Sequence, residues 1–138
     1  VSLRWRGREV VSRMERAENL AVNATMEEAV VYAKNNHEWQ NRTSVLEGSI
    51  KIVEFASREG SGSRGLWGST DVRYALIHEL GGVIRPTKAP ALMFRIDGQF
   101  VRVQQVRIPA RPYLRPAADA IYPRLPDNIR RARRKLNA

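Results

Sequence analysis

Leu92-Met93-Phe94-Arg95-Ile96-Asp97-Gly98-Gln99-Phe100-Val101-Arg102-Val103 places two alternating runs on either side of an Asp-Gly pair. Asp-Gly between such runs marks a two-residue primed turn, whose left-handed dihedrals match the twist of a β-hairpin. Pairing across the turn puts Leu92, Phe94, Ile96, Val101 and Val103 on one face, and Met93, Arg95, Phe100 and Arg102 on the other. The first face is expected to be core. The second is basic and half-apolar, as a docking or nucleic-acid surface would be. Antiparallel strands are therefore part of this fold.

After the hairpin, Ile108-Pro109-Ala110-Arg111-Pro112-Tyr113-Leu114-Arg115-Pro116-Ala117 carries three prolines. Each fixes its own φ, lacks an amide donor and pushes the preceding residue toward extended geometry. The result is a stiff connector bearing two arginines and a Tyr-Leu pair. It is either a docking element that loses little entropy on binding, or a strand exit leading into a proline-started helix. Before the hairpin, Tyr74, Ile77 and Leu80 recur at helical spacing within Asp71 to Leu80, and Gly81-Gly82 supply a left-handed stop. Val83 and Ile84 are strand-like until Pro86 breaks the ladder. Glu59 to Ser69 has four glycines and three serines, and is expected to be flexible. Trp67 near its end either inserts into a partner or tucks back onto the core.

Arg8 to Asn36 contains neither Gly nor Pro. A helix there would be about 40 Å long at about 1.5 Å per residue. Val10, Met14, Ala17, Ala21, Ala24 and Val31 form one apolar row, and Val22, Met26, Ala29, Val30 and Ala33 a second. Two rows imply cover on two sides, for example by the chain's own sheet and a neighbouring subunit. Asn35-Asn36 ends the helix, and Thr43 to Phe55 is expected to be strand, with Ile50 and Ile52 sharing a face. At the other terminus, Asp127 is placed to cap a final helix in which Ile129, Ala132 and Leu136 line one side. Arg130, Arg131, Arg133, Arg134 and Lys135 occupy the rest, suited to a helix C-terminus and to phosphate or an acidic partner.

The formal charge is +10 over 138 residues. Val1 to Glu59 holds nine Lys/Arg and nine Asp/Glu, whereas Gly60 to Ala138 holds fifteen against five, so the second half carries the excess. Most of those cations are arginine, which favours bidentate contacts to carboxylate and phosphate. The chain has no cysteine, which excludes disulfides, thiolate metal sites and a cysteine nucleophile. No apolar run has the length of a membrane span. Val1 to Val10 carries three arginines and no signal-peptide core, so no export is expected. There are two histidines, His37 and His78. His78-Glu79 lacks the second histidine of a zinc protease motif. A metal-assisted nuclease built on Asp71, His78 and Glu79 would be short of converging carboxylates. No catalytic, cofactor or metal residue is assigned, and a non-enzymatic protein is expected.

Three stretches taken in order carry a resemblance. They are Asp71-Val72-Arg73-Tyr74-Ala75-Leu76-Ile77-His78-Glu79-Leu80-Gly81-Gly82-Val83-Ile84-Arg85-Pro86, Lys88-Ala89-Pro90-Ala91-Leu92-Met93-Phe94, and the proline-rich Ile108 to Ala117. Upstream, Trp39-Gln40-Asn41-Arg42-Thr43 and Leu46-Glu47-Gly48-Ser49-Ile50 add to them. Together they resemble the tail-completion, or minor tail component, proteins of long-tailed double-stranded DNA phages. The chain is also similar to Mu-type virion morphogenesis proteins and to the neck proteins of gene transfer agents. The resemblance covers roughly Trp39 to Ala120. Ser44 stands where the family usually has Gly, Tyr113 stands where it usually has Phe, and the basic tail after Pro123 lies outside the pattern.

The resemblance implies an α+β fold in one domain. Its parts would be a long helix over 1–38, an α+β core over 39–120 and a basic extension over 121–138. It implies a homo-oligomer, commonly a hexameric ring, joining tail tube to head in the virion and leaving a channel for DNA. The partners would be the tail tube protein and a head-completion or adaptor protein, with assembly in the bacterial cytoplasm and no membrane. Expected subunit or neck contacts are Trp67, Tyr74, His78, Glu79, Pro109, Arg111, Pro112, Tyr113, Leu114 and Arg115. Arg95, Arg102, Arg130, Arg131, Arg133, Arg134 and Lys135 are expected to meet passing DNA weakly, or an acidic partner. A stand-alone basic nucleic-acid-binding module is the alternative.

Overall fold

A computed structural model of the chain describes residues 2–38, 45–72 and 74–137. Helix α1 (Gly7–Asn35) runs unbroken, as the lack of Gly and Pro in its interior requires. It stops at Asn36, whose side-chain amide donates to the Tyr32 carbonyl at 2.9 Å. A short helix α2 (Val45–Ser49) follows, then strands β1 (Ile50–Glu59) and β2 (Gly62–Ser69). Helix α3 (Ala75–Leu80) leads into β3 (Gly82–Ile84), β4 (Leu92–Ile96), β5 (Gln99–Val103) and β6 (Val106–Ile108). The chain closes with α4 (Leu114–Ile121), a 3-10 turn (Tyr122–Arg124) and α5 (Leu125–Asn137). The architecture is α+β: a long N-terminal helix, small antiparallel ladders with a hairpin, and a basic C-terminal helix.

The strands form three separate two-stranded ladders, β1–β2, β3–β6 and β4–β5. The chain itself covers one apolar row of α1 and part of the other. Ala17 and Ala21 meet Ala132 of α5, with Leu125, Ile129 and Leu136 around them. The Met26, Ala29 and Ala33 side lies under β1, β2 and α4. The Ala17 and Ala21 part of the second side is thus covered by α5 of the same chain. Val10, Met14 and Val31 stay exposed. Alanine at the α1–α5 seam lets the two backbones approach closely. Asn128 Nδ2 donates to Thr25 Oγ1 at 2.9 Å, and that hydroxyl donates to the Ala21 carbonyl at 2.8 Å, so the two buried polar groups satisfy each other.

Several expectations are corrected. Glu59 to Ser69 is a turn at Gly60-Ser61 followed by strand β2, paired with β1 from Glu59↔Gly62 to Ile50↔Ser69 with register shifts between Ile52 and Glu54 and between Glu54 and Ser57. Ladder bonds to β1 order this Gly/Ser-rich segment, and its glycines let it lie close: a Cβ at Gly65 would run into Met26. The region expected to be strand from Thr43 begins instead with helix α2, and its strand runs from Ile50 to Glu59. Asp127 is no cap. The chain passes from α4 through the 3-10 turn into α5, leaving no open N-terminus, and Asp127 pairs with Arg130 in the first turn. The Trp39 to Thr43 part of the resemblance, with Ser44 and Arg73, lies outside the described residues.

Candidate functional site

The proline connector takes the form of a strand exit leading into a proline-started helix, with β6 before it and Pro116 in the first turn of α4. Its position is set by the end of α3. Glu79 Oε2 accepts the backbone N–H groups of Tyr113 at 2.7 Å and Leu114 at 3.0 Å, and Oε1 accepts that of Arg115 at 2.9 Å. The first amides of a helix have no partners within it. Tyr113, the N-cap of α4, makes no capping bond with its own side chain, so Glu79 supplies the cap from another element. Its charge also suits the positive end of the helix dipole. The Arg111 N–H donates to the His78 carbonyl at 2.7 Å, and Gly81, at φ 70°, lies so close that a Cβ would sit 2.7 Å from the Ala110 nitrogen. His-Glu-Leu-Gly and Arg-Pro-Tyr-Leu-Arg are thus two halves of one joint.

Tyr113 is fully buried and belongs to the cluster of Ala33, Leu46, Ile50 and Ala117. It anchors the connector to the protomer's own core, which corrects its expected place among partner contacts. Its hydroxyl shares a hydrogen bond with Ser69 Oγ at 2.8 Å. Burial pushes the phenol above its usual 10.0, the Ser69 bond opposes this, and the Glu79 carboxylate adds to the rise. Glu79, with both oxygens committed to backbone amides, is a structural cap. Among the described residues no group of three or more His, Asp or Glu could hold a metal ion.

The remaining expected contacts divide between two surfaces. Trp67, Leu80, Pro112, Leu114, Arg115 and Tyr122 line an open cleft of about 470 Å³ on the outer side of the joint. Trp67 is tucked rather than extended: it packs on the core cluster, and its Nε1 donates to the Tyr122 hydroxyl at 3.0 Å. Tyr74 is exposed and meets the His78 ring edge-on at 5.8 Å, while Pro109 and Arg111 are exposed on the connector. Leu80 is 69% exposed.

The second surface is the arm from β3 to β6, with the β4–β5 hairpin toward its tip. Asp97 and Gly98 both have positive φ, and the register pairs Leu92↔Val103, Phe94↔Val101 and Arg95↔Phe100, as the sequence predicts. The face expected to be core is only half-buried, because β4 and β5 make few contacts with other elements. On the opposite face Met93 and Phe100 are 66% and 68% exposed, and Arg95 stacks over the Phe100 ring at 4.8 Å. Arg102 lies on that face too. Arg130, Arg131, Arg133, Arg134 and Lys135 are exposed on α5, so the two sets of candidate DNA contacts sit on separate elements.

Sequence reasoning missed the Glu79 cap and the Thr25–Asn128 pair. Both join residues far apart in the chain, and the one local sign is a polar side chain on an otherwise apolar helical row. In comparisons with known proteins, no family model, curated protein or solved structure matches this chain.

Proposed function

We propose that this chain is a non-enzymatic structural virion protein that assembles into a ring at the head–tail junction. The ring joins tail tube to head and leaves a channel for DNA. The observation that carries the reading is the surface the protomer leaves uncovered. Its accessible area is 10660 Å² for a mass of 15.7 kDa. A compact monomer of that mass exposes about 7,300 Å². The surplus of roughly 3,400 Å² is what two subunit faces of obligate size remove. A head-to-tail ring needs two different, complementary faces on each copy. The apolar arm and the cleft beside Trp67 and Leu80 are such a pair. The resemblance of the α3 stop, the hairpin and the proline connector supports the neck location.

The exposed basic face of α5 favours a second reading, a stand-alone nucleic-acid-binding module. Nanomolar binding of DNA by an isolated protomer supports that alternative over the ring. Electron microscopy of purified particles from the source, with this chain tagged, tests the proposal. A ring of density between head and tail is expected. Absence of the chain from particles contradicts it.

A further inference from the structure

We propose that the open end of the α1–α5 pair is a composite surface for the phosphate backbone of duplex nucleic acid. The start of α1 lies beside the end of α5, since Val10, Arg13 and Met14 line one small cavity with Arg133, Leu136 and Asn137. The fold therefore brings Arg13 to Arg133, with Arg4, Arg6, Arg8 and Arg16 on the chain to either side of Arg13 and the other α5 cations on the turns around Arg133. None of the five N-terminal arginines is assigned a role from the sequence. All ten are exposed. Residues 2–16 and 125–137 together hold only three carboxylates, Glu9, Glu15 and Asp127. Glu15 pairs with Arg58 and Asp127 with Arg130.

This concentration opposes folding. Like charges repel, and cations near the start of α1 face the positive end of its dipole. Further along the pair acidic groups do meet the cations, since Glu27 lines one cavity with Arg131 and Lys135 and Glu28 pairs with Arg124. Arg4, Arg6, Arg8, Arg13 and Arg133 have no such partner among the ion pairs of the described residues. The excess of arginine at this end suits a ligand that brings many negative charges. Nine of the ten cations are arginine, whose fork matches phosphate oxygens. The apolar side of α5 is already packed on Ala17 and Ala21, whereas Leu3, Trp5, Val10 and Val11 are exposed beside the N-terminal arginines, so anionic vesicles are the necessary control for this surface. The cations spread along the start of the chain and two helices instead of converging on one point, which fits a repeating backbone read without regard to sequence.

Fluorescence anisotropy of a labelled duplex, titrated with the full chain from about 50 to about 200 mM salt, tests this. Binding is expected to be micromolar near 0.1 M salt, with a log–log salt slope of roughly −4 to −5 if about five phosphates are engaged. R13Q/R16Q and R131Q/R134Q should each weaken binding at least about tenfold and flatten the slope by about 1.8. R95Q/R102Q on the arm should leave both unchanged, and circular dichroism should show each variant as helical as the parent. Parent-like binding by R13Q/R16Q overturns the composite surface. So does an equal loss in R95Q/R102Q, or binding to anionic vesicles without salt-dependent binding to duplex. The surface does not depend on ring assembly, so particles lacking a ring would leave this result untouched.

Discussion

Glu79 organises more backbone than any other charged side chain described. Replacing it with Ala leaves three helix-start amides without their acceptor, and the expected loss is about 2–4 kcal/mol. Urea denaturation checks this; an unchanged midpoint would mean water serves those amides equally well. Gly81→Ala is expected to lose about 2 kcal/mol or more, since it combines a left-handed φ with a Cβ close to the Ala110 nitrogen. Tyr113 yields a pH prediction with a definite sign. Its folded pKa is raised, so above its unfolded value of about 10 the unfolded state releases the proton more readily. Stability is full below about pH 10 and falls as pH rises through the folded value. Tyr113→Phe should fold, because the ring keeps its place in the core, and should show less of that alkaline loss. Equal alkaline loss in parent and variant would remove Tyr113 as the cause.

Hairpin and helix were legible where the signal is local. Asp97-Gly98 between alternating runs specifies its own turn, and an uninterrupted Arg8 to Asn36 leaves α1 no alternative. Glu59 to Ser69 was not legible. Glycine and serine raise the freedom of an isolated segment, but pairing with β1 is non-local and outweighs it. Asp127 misled in the same way: a good capping residue has no role where the 3-10 turn already continues the helix. Legibility of the candidate site was similar. His78-Glu79 and the proline segment stood out in the sequence, but their mutual hydrogen bonds did not, because they join residues more than thirty apart. For the β4–β5 arm, Met93→Glu with Phe100→Glu should leave a folded protomer, since both side chains lie outside its core, and should abolish assembly. Size-exclusion chromatography with circular dichroism reads both effects. Undiminished assembly would remove the arm from the subunit contact.

Across the whole chain, the controlling fact is how little the protomer buries. Tyr113 and Ile50 are the largest side chains fully removed from water, and the rest of the core is largely alanine. Folding hides about 53% of the unfolded chain's surface, against about 68% for a compact chain near this length. Charge follows the same logic. Counting by halves hides the basic start of α1, because acidic residues later in the helix cancel it on paper but not in space. Uncovered apolar surface and excess positive charge are what the proposed function expects of a subunit completed by other molecules. The native mass of the chain, purified and released gently from particles, tests this most directly. A closed oligomer at several times 15.7 kDa is expected, reduced to protomers by the Met93→Glu, Phe100→Glu variant. A protomer of 15.7 kDa in both preparations would contradict the account.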